Sequence, residues 1–468
     1  MLSATQAMYA AMDVATALFY AWSDNCRRLV AASVMFLAGI GVLCAPDIAN
    51  CQIDLPDVSA SRGLRVGEFR FSPRAEILGG YDNNLFYDAF NDAREPARVA
   101  LLDLSAGIQI ENPDYQDFHV NLDASGTYHR VFSPSASLND AQSSFGGDLL
   151  FLAEFFPKSI LSFGVFDVFK HTIDAPNYSS ERTFNRLFNK VGATVAFHPG
   201  NSSGRGALDV ELGYAYEINR FVDFERLDHD AHDFDLLLTW KFFPKTALVV
   251  DGNLRLENWS VQDEQRGRTD SMPFRILGGV NGFVTKQIAL QARVGFGQGF
   301  YSSGTDIQTV LGKVVLTWTP ANTSIFSVGY DRDFVQSYYA NFYSFDRFSA
   351  SIKQRFWNRL EIRADAAFSW LDYAKFDPSG ISVLYDVAQP YVVVNEANRG
   401  ESAVDAGISV EVVVINYLSV YLSYNFRQLF SDFEMYTSTD NVLGAGDQLV
   451  DRGGYARHVA KGGIIVRY

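Results

Sequence analysis

The chain has 468 residues, 48% of them hydrophobic and 20% charged, with a mean hydropathy of -0.03, which is too polar for a bundle of membrane-spanning helices. Its net charge of -15 argues against nucleic acid as a partner. All three cysteines, Cys26, Cys44 and Cys51, lie in the first 51 residues, so the rest of the chain can form neither a disulfide framework nor a cysteine-based metal site.

The first element in chain order is the apolar run "LVAASVMFLAGIGVLC" at 29–44, preceded by Arg27 and Arg28. It is short for a spanning helix and fits the core of a signal peptide, with a small-residue exit that allows cleavage after Ala49, an uncleaved anchor being the alternative reading. Residues 1–25 then read as an over-called start. Asn50 is a poor residue ahead of Cys51 for lipid attachment. The expected organisation is a signal region at 1–49, a periplasmic lead segment at 50–66 and one large domain at 67–468.

From about residue 66 onward the pattern has period two. In "LDVELGYAYEI" at 208–218, Leu208, Val210, Leu212, Tyr214, Tyr216 and Ile218 share one face, while Asp209, Glu211 and Glu217 take the other. "LVVDGNLRLENW" at 248–259 sets Leu248, Val250, Leu254 and Leu256 against Asp251, Asn253, Arg255 and Glu257. "IALQARVGF" at 288–296 sets Val294 and Phe296 against Gln291 and Arg293, and "LEIRADAAFSW" at 360–370 sets Ile362, Phe368 and Trp370 against Glu361, Arg363 and Asp365. Such segments exceed the ~5–6 residues of a usual soluble strand and match the ~9–11 of a transmembrane strand. No helical stretch of three turns interrupts them.

The breaks between segments alternate in length. Short ones include the near-repeats "FFPKS" at 155–159 and "FFPKT" at 242–246, then "VTKQ" at 284–287, "TPANTS" at 319–324, "WNR" at 357–359 and "INYL" at 415–418. Long polar ones lie at 81–98, 133–144, 172–182, 223–230, 262–270, 375–399 and 431–454. Proline ends a ladder because it has no N–H, and aromatic rings beside the short turns suit a lipid–water boundary. The expectation is an all-β fold: a transmembrane antiparallel up-and-down β-barrel of about eighteen strands, with short periplasmic turns and longer outer loops.

The opening strand "FRFSPRAEILGGYDNNLFYD" at 69–88 resembles the outer-membrane β-barrel porin 2 family of Gram-negative, alphaproteobacterial type, in Pro73, Gly80, Tyr81, Asp82 and Asn84. The resemblance implies a porin, with exopolysaccharide passage and polysaccharide-export components as partners, and it supplies no catalytic residues. The terminal Tyr468, in phase with Ile464 and Val466, resembles the C-terminal signal read by barrel-assembly machinery. Further expected partners are the lipid bilayer and lipopolysaccharide, and the expected location is the cell outer membrane.

The expected lumen charge is carried by Asp123, Asp209, Glu211, Glu217, Asp251, Arg255, Glu257, Arg293, Glu361, Arg363, Asp365, Asp405 and Glu411. Carboxylates outnumber basic groups in this set, so a channel preferring cations or neutral sugars is expected. The other reading of the same face is a lumen locked by ion pairs, in a non-conducting structural or assembly barrel. "LDHDAHDFD" at 227–235 collects histidines and aspartates but matches no metal-site spacing, and reads as a solvated outer loop running into a strand. A barrel hydrolase needs Ser and His on adjacent strands at one depth. His119 and His129 flank Ser125, but spacing alone reveals no such set. No cofactor or catalytic residue is expected.

Overall fold

A computed structural model describes residues 63–468, except 86–96, 113–116, 135–143, 173–184, 200–205, 223–224, 263–268, 338–339, 375–390, 395–399, 432–433, 438–448 and 453. The signal region, its cleavage site and Cys51 therefore lie outside the described residues.

The strands are long because each carries an uninterrupted two-residue alternation. In order they are β1 (Leu64–Val66), β2 (Phe69–Asp82), β3 (Val99–Glu111), β4 (Phe118–Phe132), β5 (Ser144–Phe155), β6 (Leu161–Thr172), β7 (Arg186–Phe197) and β8 (Leu208–Phe221). There follow β9 (His229–Phe243), β10 (Thr246–Trp259), β11 (Ser271–Phe283), β12 (Ile288–Tyr301), β13 (Ile307–Ala321), β14 (Ser324–Gln336), β15 (Phe342–Phe356) and β16 (Leu360–Tyr373). The last are β17 (Tyr391–Val394), β18 (Gly400–Ile415), β19 (Leu418–Ser431), β20 (Glu434–Thr437), β21 (Leu449–Arg452) and β22 (Ala456–Arg467). Among the described residues there is no α-helix, only one 3-10 turn at Glu225–Leu227.

Every long strand pairs antiparallel with its chain neighbours, and β22 returns to pair with β2 from Arg74↔Arg467 to Asp82↔Val459. The result is a closed barrel of eighteen strands, β2–β16, β18, β19 and β22, with no open edge in the ring. Closure satisfies the backbone groups that an edge would leave bare. The seam is finished by two local devices. The Tyr468 N–H donates to the Pro73 carbonyl at 3.1 Å, one step past the last ladder pair. Below it, β1 folds back through Gly67, at φ +63°, and pairs with β2 at Val66↔Phe69 and Leu64↔Phe71.

Glycine matters at this seam for close approach. A Cβ on Gly80 would lie 2.7 Å from the Ala460 carbonyl oxygen, and one on Gly463 would lie 1.9 Å from that of Ile77. The Gly80–Asn84 stretch singled out in the sequence therefore has a structural role. Asp82, fully buried, accepts from Arg457 at 2.6 Å and caps the Asn84 N–H at 2.9 Å. Asn84 in turn donates to the Ala456 carbonyl at 3.1 Å. First and last strands are clipped together at the long-loop rim.

The two near-identical pentapeptides do stand at one rim but make different turns. Between β9 and β10 only Pro244 and Lys245 intervene, and Phe243 pairs directly with Thr246. Between β5 and β6 the turn runs over 156–160, with Phe156 at φ 55°. At "WNR", Trp357 and Asn358 both take positive φ, 51° and 55°, as a type I′ hairpin requires. The long-loop side holds an addition absent from the sequence reading. β17, β20 and β21 form a separate three-stranded antiparallel sheet that joins the β16–β18 connection to the β19–β22 connection.

One face of each barrel strand is apolar and exposed: Leu212 is 56% exposed, Val294 63% and Leu422 57%. Toward the short-turn rim this face is ringed by aromatic pairs, Phe118–Phe155, Trp240–Phe242, Trp318–Phe326 and Phe356–Trp357, with centroids 4.9–5.8 Å apart. The other face is polar over most of its height. At the long-loop end it turns apolar and buried, in one cluster of Tyr343, Leu371, Tyr373, Ala403, Leu429 and Tyr455 and another of Leu85, Val99, Leu101 and Val131.

Candidate lumen lining

The alternation that exposes Leu212 turns its neighbour Glu211 the other way, and the same holds on every strand carrying a predicted lumen residue. Contacts between non-adjacent strands identify the concave side. Arg275 on β11 reaches Asp333 on β14 at 2.9 Å, past two intervening strands. Side chains converge enough for that only on the inside of a curved sheet.

Six of the thirteen predicted charges meet a partner by skipping one strand. Asp123 on β4 takes Arg74 of β2 in a two-pronged contact at 2.7 and 2.8 Å. Arg293 on β12 meets Asp251 of β10 at 2.5 Å, and Glu411 on β18 meets Arg467 of β22 at 2.5 Å. Asp405 takes Arg427 of the adjacent β19 at 2.6 Å. Such two-pronged and strand-crossing pairs fix both side chains in the wall.

Two clusters are larger. Arg255 on β10 lies among three carboxylates, Glu217 at 2.8 Å, Asp233 at 3.1 Å and Glu257 at 3.5 Å. Lys190 of β7 adds a second cation on Asp233 at 2.8 Å. Around β15 and β16 the pattern inverts: Glu361 lies among Arg363 at 2.6 Å, Arg355 at 2.9 Å and Lys353 at 3.7 Å.

Among the described residues, Glu211 and Asp365 have no basic group within ion-pair distance. Glu211 instead faces Glu154, His198, Asp235 and Asp209. Asp365 packs onto Gly407, where an added Cβ would come within 2.7 Å of its carboxylate.

The His/Asp stretch at 227–235 is a strand from His229 onward, and alternation divides it. Asp233 turns inward to Arg255 and Lys190, while His232 turns outward, where its ring nitrogen meets the Tyr214 hydroxyl at 2.9 Å. Asp230 pairs outward with Arg220 at 2.8 Å. The expected loop running into a strand is what stands here, with the strand and its alternation starting at His229. No group of three or more metal-ligating side chains occurs among the described residues. His129 is taken by Asp103 at 2.5 Å, four residues along the strand from Ser125.

The sequence reading left out Lys190, Asp233, Lys353, Arg355 and Arg427. They stand in the same inward phase as their strands' other polar residues, so extending the two-residue count into "SIKQRF" and "YNFRQL" finds the last three. Which cation meets which anion depends on strand stagger, which the alternation does not encode.

No family model matches the chain, and no curated protein does. The likeness of 69–88 to the porin 2 family therefore rests on those residues alone. Among solved structures, the chain is similar to OpdQ of Pseudomonas aeruginosa, with 9% identity over 86% of this chain and 99% of that one, at a TM-score of 0.43. Against OccAB3 of Acinetobacter baumannii the values are 10%, 86%, 100% and 0.43. Against the FrpB iron transporter of Neisseria meningitidis (F3-3 variant) they are 6%, 89%, 83% and 0.40.

Proposed function

We propose that this chain is an outer-membrane channel passing hydrophilic solutes through the barrel. The observation that carries the reading is the pairing of an exposed apolar face with an inward charged face around a closed ring of eighteen strands. An apolar band with aromatic rings at one rim suits lipid, and a ring of this strand number is too wide for side chains alone to fill. Solute classes consistent with the lining are small hydrophilic molecules and, from the resemblance at 69–88, exopolysaccharide. The carboxylates Glu211, Glu154, Asp235 and Asp365 are the groups that would favour cations, since most other charges are matched in pairs.

The lipid bilayer and lipopolysaccharide are the proposed surroundings, and Tyr468, 61% exposed, is the proposed contact for barrel-assembly machinery. The protein is expected to migrate faster unheated than boiled on a gel, and to give stable conductance steps in a planar bilayer. A water-soluble product obtained without detergent would exclude the membrane reading. A folded barrel that is silent in the bilayer would instead support a non-conducting structural barrel, which the strand-crossing ion pairs also suit.

A further inference from the structure

At the short-turn end, a cavity of about 1260 Å³ opens on the inward face from β4 to β11. Its wall contains Ser162 on β6, His198 just past the end of β7, and Asp209 on β8. Ser162 Oγ lies 3.3 Å from His198 Nε2, and His198 Nδ1 lies 2.8 Å from Asp209 Oδ1. Three consecutive strands thus bring a hydroxyl, an imidazole and a carboxylate into one line at one depth.

The chemistry of the line fixes its protons. An ionised carboxylate only accepts, so Nδ1 of His198 carries the hydrogen and donates it to Asp209. Nε2 is then the lone-pair nitrogen, and the Ser162 O–H donates to it. This is the tautomer in which imidazole can take a proton from serine. Lys241 holds the second oxygen of Asp209 and keeps that carboxylate in place. Ser162 is 3% exposed and lies on the cavity wall.

We propose that Ser162, His198 and Asp209 form a nucleophilic centre that cleaves acyl esters of hydrophilic alcohols. Ser162 Oγ attacks the ester carbonyl carbon as its proton passes to His198 Nε2. The C–O bond to the alcohol breaks, and the alcohol leaves with that proton. Water then attacks the acyl-serine, giving one proton to His198, and Ser162 leaves as the hydroxyl with the carboxylic acid released. Asp209 stays ionised and holds the ring. The alcohol must be hydrophilic because Asn121, Thr239 and Lys241 share the cavity wall.

This centre does not depend on conduction, so its test is separate from bilayer recording. The full chain, folded in detergent, is treated with a biotinylated fluorophosphonate and digested for mass spectrometry. A phosphonyl adduct on Ser162 is expected, together with hydrolysis of p-nitrophenyl acetate. Ser162→Ala should abolish both, and His198→Gln should lower hydrolysis by about 100-fold or more, as loss of a general base does. The unheated gel shift confirms that each variant still folds, and a purely structural Ser–His contact would give no adduct. The proposal is overturned if the folded chain takes no label on Ser162, or if Ser162→Ala hydrolyses the ester as fast as the parent.

Discussion

The wall around Arg255 and the wall around Glu361 are inverses of each other. In the first, one guanidinium is held by Glu217, Asp233 and Glu257. In the second, one carboxylate is held by Lys353, Arg355 and Arg363. Both arise from the same inward alternation, yet one leaves local negative charge and the other local positive charge. Burial differs too. Asp233 and Glu257 have side chains only 3% and 2% exposed, whereas Arg363 is 49% exposed beside its buried partner. The comparison teaches that lumen charge is a local property of neighbouring strands. The chain's net charge of -15 predicts little about any one stretch of wall.

The largest effect should come from breaking the first wall. Arg255→Met leaves three buried carboxylates with only Lys190 and His229 near them, and should cost about 3–5 kcal/mol. The check is the temperature at which the fast-migrating folded band disappears. Next in size is a change on the outward side of the same wall. Leu212→Arg should cost about 2–4 kcal/mol if the residue sits near the bilayer midplane, whereas Glu211→Gln beside it should leave the melting unchanged. Equal sensitivity at 211 and 212 would contradict the assigned facing.

Breaking the second wall should cost less. Glu361→Gln removes the shared anion, but Arg363 already reaches solvent and can rehydrate, so about 1–3 kcal/mol is expected from the same melting assay. A loss equal to that of Arg255→Met would mean that burial does not separate the two clusters. The smallest change in stability and the sharpest in selectivity should come from Glu211→Gln. Removing an unpaired carboxylate should shift the reversal potential in a salt gradient toward anions. Glu211, Asp235 and Glu154 neutralised together should shift it further. No shift in the triple variant would remove the basis for cation preference.

The hydrolase question shows how a spacing argument fails. Ser125 and its flanking histidines are close in sequence but lie along one strand, where four residues span about 13 Å. Ser162, His198 and Asp209 are far apart in sequence, yet they meet because the β6–β7 and β7–β8 ladders place them at one height. Sequence neighbours on a strand diverge, while residues on adjacent strands converge.

The two-residue alternation, read from the chain alone, determined the strands, their inward and outward faces, the alternation of short and long connections and the approximate strand number. It did so because each strand's side chains must separate lipid-compatible from water-compatible surface, a constraint written residue by residue. Tertiary structure alone decided the rest. The pairing of β17 with β20 across two long connections depends on contacts distant in sequence. So does the clip of Asp82 to Arg457 that gives the "GGYDNN" stretch its role. The partners of Arg255, Glu361 and His198 depend on ladder register, which closure of the ring sets for all eighteen strands together.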